Sequence, residues 1–175
     1  MAYIEQIDPS QATGEVEGFY DLFADVPGGV PDIMKVMSLR PEAMRATRGL
    51  YRPVLFSESG LTRVEREMVA VVVSVTNACV YSVERHGAAL LELVGDEDLI
   101  AGIRSDFHDA GIDRRTMAIL QYAEKLTRYP WSGFEVEVAT LRSHDLSDLE
   151  ILDLTLVVAY FNYINRVATG LGVGS

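Results

Sequence analysis

The run Met68-Val69-Ala70-Val71-Val72-Val73-Ser74-Val75 constrains this chain more than any other feature. It offers no polar face, so whatever element it forms must be covered on every side. By itself it has the length and β-branched content of a buried strand. Its neighbourhood argues for a helix. Just upstream, Thr62-Arg63-Val64-Glu65 has the spacing of a capping box, in which the Thr62 hydroxyl and the Glu65 carboxylate satisfy the free N–H groups of a first turn. A helix from Thr62 to about Asn77, fully buried in its second half, is the expectation.

Helical spacing recurs elsewhere. Val16, Phe19, Tyr20 and Phe23 share one face within 14–25. Pro27-Gly28-Gly29-Val30-Pro31 then breaks the chain. A short helix is expected from Asp32 to Leu39. Another opens at Pro41 and runs towards Phe56, with Pro53 expected to kink or end it. Further helices are expected from Cys79 to Val94, from Glu97 to Phe107, from the Asp113 cap to Arg128, and from Phe134 to Ser143. Ser147-Asp148-Leu149-Glu150 is a second capping box. The helix it opens should reach Thr169, with Gly170 as a left-handed stop, and span about 35 Å. No stretch alternates with the period of a sheet. The fold class expected is all-α: one domain over residues 1–175, a bundle of about eight helices with a long C-terminal one, and residues 1–13 as an irregular extension.

Charge and cysteine content narrow the function. The formal net charge is -11, from 26 acidic and 15 basic residues. Nucleic-acid binding needs clustered Lys and Arg, and an anionic membrane surface repels such a chain, so neither is an expected partner. The apolar runs fall well short of the roughly 20 residues of a membrane helix, and Met1 to Asp8 does not read as a signal peptide. One cysteine cannot form an internal disulfide. The expected location is cytoplasmic.

The chemistry concentrates in Asn77-Ala78-Cys79-Val80-Tyr81-Ser82-Val83-Glu84-Arg85-His86-Gly87. On a helix, Cys79, Ser82 and His86 share a face, which collects a thiol, a hydroxyl and an imidazole. Cys79 would lie at a helix start, where free N–H groups favour an anion and make a thiolate nucleophile. His86 could take or relay a proton, and Ser82 could bridge the two. Glu67 lies on the apolar helix, where an ionised carboxylate needs a partner. His86 is the expected one, and Tyr81 and Arg85 fall off this face. Singly, each residue has a plainer reading. A lone cysteine is most often a small buried hydrophobe, a helix histidine a satisfied core residue, and Glu67 an ion-pairing group near a helix start. The three could in principle hold zinc, but they lack a fourth ligand and a standard spacing, so no metal and no cofactor is expected.

Other residues carry weaker signals. Trp131, after Pro130, is expected to pack on the core as part of a helix-ending turn rather than line a substrate mouth. Asn162, Asn165 and Arg166 sit amid apolar residues of the last helix. A structural role is expected for them over orienting Glu67 or crossing a subunit interface. His108 and His144 read as solvated residues at helix ends.

Glu67, Cys79, Ser82 and His86 resemble the E-x11-C-x2-C-x3-H motif of the alkylhydroperoxidase D-like group within the carboxymuconolactone decarboxylase superfamily. Leu61 to Met68 resembles the start of that group's motif-bearing helix. Tyr122 to Thr127 and Phe161 to Arg166 resemble the peroxidase-related subgroup. The resemblance implies an all-α fold assembling as a dimer, trimer or hexamer. It also implies reduction of a small-molecule organic peroxide by a dithiol, recharged by a thiol, lipoyl or thioredoxin-like reductant. Glu67 and His86 would form the proton relay, Cys79 the partner thiol, and Ser82 stands at the peroxidatic position. A serine can form neither a sulfenic acid nor a disulfide, so the two-cysteine cycle cannot run within this chain. Cys79 acts alone with an external thiol, or the chain is a cysteine-independent decarboxylase or isomerase of a small lactone, or the serine leaves the site silent.

Overall fold

A computed structural model of the chain describes residues 2–174. Among them it contains nine α-helices and no strand. They are α1 (Gly14–Tyr20), α2 (Asp32–Lys35), α3 (Pro41–Phe56), α4 (Arg63–Thr76), α5 (Val80–Val94), α6 (Glu97–Asp106), α7 (Arg114–Arg128), α8 (Glu135–Ser143) and α9 (Asp148–Gly170). The all-α expectation holds, and so does the long C-terminal helix.

The apolar run is the axis of the fold. α4 packs against α3, α5, α6, α7 and α9, and every residue from Glu65 to Ser74 is buried. Both capping boxes form as the sequence predicts, at Thr62/Glu65 and at Ser147/Glu150. Asp113 accepts hydrogen bonds from the N–H groups of Arg115 and Thr116 at the head of α7.

Three boundaries differ from expectation. α2 is a single turn, and turns rather than helix carry the chain from Val36 to Leu39. Pro53 does not end α3 at its own position, since the helix runs three residues further, to Phe56. The carbonyls of Pro53 and Val54 are then taken by the buried Arg66 guanidinium, at 3.4 and 2.7 Å. Gly170 stays helical, and the left-handed residue is Gly172 (φ 70°). There the Val173 N–H reaches back to the Ala168 carbonyl at 2.9 Å, a Schellman ending that returns Val173 to the core.

The same ending closes α4 without a glycine. Ala78 takes the left-handed conformation (φ 52°), and the Cys79 N–H donates to the Ser74 carbonyl at 2.9 Å. Cys79 is therefore both the residue that closes α4 and the N-cap of α5. The segment before α1 holds one 3-10 turn, Pro9–Gln11. It is tied down by the Ile7 N–H to Ser38 Oγ at 2.8 Å and the Tyr3 N–H to the Leu171 carbonyl at 2.8 Å.

Candidate functional site

α4 and α5 together build a buried charged pair. Glu67 is fully buried, and its Oε2 lies 2.7 Å from His86 Nδ1. This is the partner that burial of a carboxylate demanded. One turn upstream, the Arg63 guanidinium donates to Glu67 Oε1. Burial alone would push the Glu67 carboxyl up. The hydrogen bond and charge of His86, with those of Arg63, outweigh it and hold the carboxyl below its ordinary value. With Glu67 ionised, His86 Nδ1 donates the hydrogen of this bond. The imidazole is held edge-on to Phe161, with ring centroids 4.6 Å apart. Arg63 is held in turn over the Phe56 ring, 3.9 Å from its centroid.

His86 opens onto a cavity of about 380 Å³. Its walls come from Phe23, Val26 and Pro31 before α2, from Ile33 and Met34 on α2, and from Arg48, Tyr51, Arg52 and Phe56 on α3. α5 supplies Tyr81, Ser82, Arg85 and His86, and α9 supplies Tyr160, Phe161 and Ile164. Burial raises the phenols of Tyr51, Tyr81 and Tyr160 above their ordinary range, so all three remain neutral donors.

Cys79 is not part of this lining. It is buried, and its Sγ lies 3.5 Å from Ser82 Oγ. The hydroxyl thus stands between the sulfur and the cavity. The helical projection that put Cys79, Ser82 and His86 on one face fails at its first member, because Cys79 has non-helical angles (φ -91°, ψ 88°). The thiol also makes no capping bond to an N–H of α5. The cavity instead meets the arc Tyr81, Ser82, Arg85 and His86, which includes Tyr81 and Arg85, two residues expected to lie off the site's face.

Other expectations also shift. Trp131 is 80% exposed, neither packed on the core nor at the cavity, and its ring meets Tyr129 edge-on. Asn165 pairs with Ser74 Oγ, and Asn162 bridges Thr127 and Asn77. These bonds join α9 to α4 and α7, and none reaches Glu67. His108 is exposed beside Asp106, and His144 caps α8. Arg63 is the residue that sequence reasoning missed at the dyad. Its i,i+4 spacing to Glu67 was the available signal. Among the described residues, no group of three or more His, Cys, Asp or Glu is placed to hold a metal ion.

Residues 41–125 match the carboxymuconolactone decarboxylase family. No protein with a curated description matches the sequence. The structure is similar to that of a peroxidase-related protein from Silicibacter sp. TM1040, with TM-score 0.84 and 34% identity, over 90% of this chain and 83% of that one. It is also similar to an alkylhydroperoxidase core, a peroxidase-related protein from Ralstonia eutropha JMP134, with TM-score 0.89 and 26% identity, over 98% and 90%. The debrominase Bmp8 in complex with 2,3,4-tribromopyrrole shares the fold at TM-score 0.77 and 14% identity, over 98% and 92%. With the Glu67–His86 pair buried between its two motif helices, the chain belongs to the carboxymuconolactone decarboxylase superfamily, in its alkylhydroperoxidase D-like group.

Proposed function

We propose that this protein is a thiol-dependent oxidoreductase that reduces an organic hydroperoxide. In it Cys79 is the sulfur, Ser82 adjoins it, and Glu67 and His86 form the proton relay. The observation that carries the reading is the buried Glu67–His86 pair at the wall of an apolar cavity, one side chain removed from the thiol. Such a dyad fixes the imidazole tautomer and stabilises the imidazolium that forms when it takes a proton.

The step balances as follows. The Cys79 thiolate attacks the terminal peroxide oxygen, the O–O bond breaks, and His86 gives its proton to the departing alkoxide. The products are Cys79 sulfenic acid and an alcohol. An external thiol then condenses with the sulfenic acid, releasing water and leaving a mixed disulfide, which a second thiol reduces. That cycle needs a reducing compartment, so a cytoplasmic location belongs to the same proposal. No helix among the described residues is long and apolar enough to cross a membrane. Assembly with further copies is also part of the reading. Leu149, Leu152, Leu156 and Tyr163 form an exposed apolar stripe along α9.

A second reading is favoured by the lining itself, which includes His86 and Ser82 but not Cys79. In it the dyad moves protons on a small lactone or acid without the sulfur. One assay separates the two: peroxide consumption with excess dithiol by the parent chain, Cys79→Ala and Ser82→Cys. Activity in the parent that vanishes in Cys79→Ala is the expected result. An inert parent beside an active Ser82→Cys variant would sink the one-sulfur mechanism. Turnover of a lactone that survives Cys79→Ala would establish the second reading instead.

A further inference from the structure

The cavity's arginines have no part in the chemistry above. In a chain of net charge -11, Arg48, Arg52 and Arg85 line one cavity whose wall carries no carboxylate. Elsewhere Lys35, Arg45, Arg115, Lys125, Arg128 and Arg142 each meet an Asp or Glu. Arg52 and Arg85 have no hydrogen-bonding or ion-pair partner among the described residues. Arg48 has only the Phe23 ring, 5.2 Å from its guanidinium carbon to the centroid. Cations left unpaired on one apolar wall, in a chain rich in carboxylates, point to an anion supplied from outside.

Placement narrows that anion. Arg48 and Arg52 lie one turn apart on α3 and share a face. Arg85 comes from α5, one residue before His86. Burial raises the phenols of Tyr51, Tyr81 and Tyr160, and the Arg85 charge opposes that rise at each, so its field extends into the cavity. A planar guanidinium matches a carboxylate through paired hydrogen bonds. The remaining wall is mostly aliphatic and aromatic, which suits a hydrocarbon body. About 380 Å³ lies near the small end of ligand pockets, roughly 300–1,000 Å³, which suits one or two rings.

We propose that the cavity takes an amphipathic monocarboxylic acid, its aromatic or branched aliphatic body beside His86 and Ser82 and its carboxylate held by Arg85 with Arg48 and Arg52. Under the reductase reading, on which the nature of the reacting group rests, the substrate is a hydroperoxide that also carries a carboxylate. The ligand class itself does not depend on that reaction.

Calorimetric titration of the full chain with 1-naphthoate and its neutral counterpart 1-naphthamide tests this. The acid should bind about tenfold or more tighter than the amide. Arg85→Gln should abolish that preference while leaving amide affinity unchanged, which also reports an intact cavity. Arg48→Gln with Arg52→Gln should reduce the preference, and added salt should weaken acid binding alone. Equal affinity for acid and amide, an acid preference that survives Arg85→Gln, or no naphthoate binding below millimolar concentration overturns the proposal. Cys79→Ala should bind naphthoate like the parent. A negative peroxide assay with naphthoate binding intact therefore removes the reaction and leaves the ligand class standing.

Discussion

Arg66 and Glu67 are neighbours on α4, both charged and both buried, yet they belong to different parts of the molecule. The Arg66 guanidinium closes a joint. Its Nε donates to the Leu61 carbonyl at 3.1 Å and its Nη1 to the Val54 carbonyl at 2.7 Å, satisfying backbone acceptors at the end of α3 and before α4. Glu67, on the next face of the same helix, meets two side chains, and one of them borders empty space. Burial of a charge is therefore no mark of chemistry by itself. The mark is a paired buried group, here His86, that also lines a cavity.

The sharpest way to break this comparison is to neutralise each partner in turn. Glu67→Gln keeps a hydrogen-bonding group beside His86 but removes the charge that stabilises the imidazolium. Turnover should fall about 10²–10⁴-fold, with far less effect on the urea midpoint. Arg66→Met should do the opposite, lowering unfolding free energy by roughly 2–3 kcal/mol through lost charged hydrogen bonds, with turnover per folded molecule retained. If both variants lose stability and activity in step, the two regions are one unit and the distinction fails.

Acid provides a gentler test of the same contrast. The Glu67 carboxyl is held below its ordinary value of 4.5 in the folded protein. Its contribution to stability is therefore fully present above about pH 4.5 and is lost as pH falls through the lower folded value. Unfolding midpoints of the parent should drop more steeply below pH 4.5 than those of Glu67→Gln, and the two profiles should converge at the acid end. Parallel profiles would mean that the dyad contributes no proton linkage.

The smallest effect is expected at the joint that links the two helices. Gly172 and Ala78 occupy equivalent positions in the endings of α9 and α4, both with positive φ, but only one is a glycine. The methyl group of Ala78 makes the left-handed conformation costly. Ala78→Gly should raise stability by up to about 1 kcal/mol, as chain entropy offsets part of the relieved strain. Thermal melts of the two forms would measure it. A decrease would show that the strain is compensated elsewhere in the turn before Cys79.

The helices were legible because their signals are local. The caps at Thr62, Asp113 and Ser147 and the apolar run of α4 each act within a few residues, and all appear where expected. The ends that depend on distant partners were not. α3 passes Pro53 to Phe56 where a kink or an end was expected, and Arg66 takes its last carbonyls. The left-handed stop after α9 falls at Gly172 rather than Gly170, and Val173 fills a core site beyond it. Within the candidate site, a buried carboxylate on an apolar helix announced its need for a partner. His86, on the next helix, was the titratable partner the motif offered, so that contact was foreseeable.

The sequence by itself determined an all-α fold and a central buried helix, and it singled out Glu67, Cys79, Ser82 and His86 as candidates. Periodicity, capping chemistry and motif spacing are properties of a few consecutive residues. Only the tertiary structure decided which face of α5 meets the cavity. It set Tyr81, Ser82, Arg85 and His86 along the cavity wall and left Cys79 behind Ser82. A cavity is bounded by elements far apart in sequence, here α2, α3, α5 and α9. Its direction follows from how those helices pack, which no local spacing records.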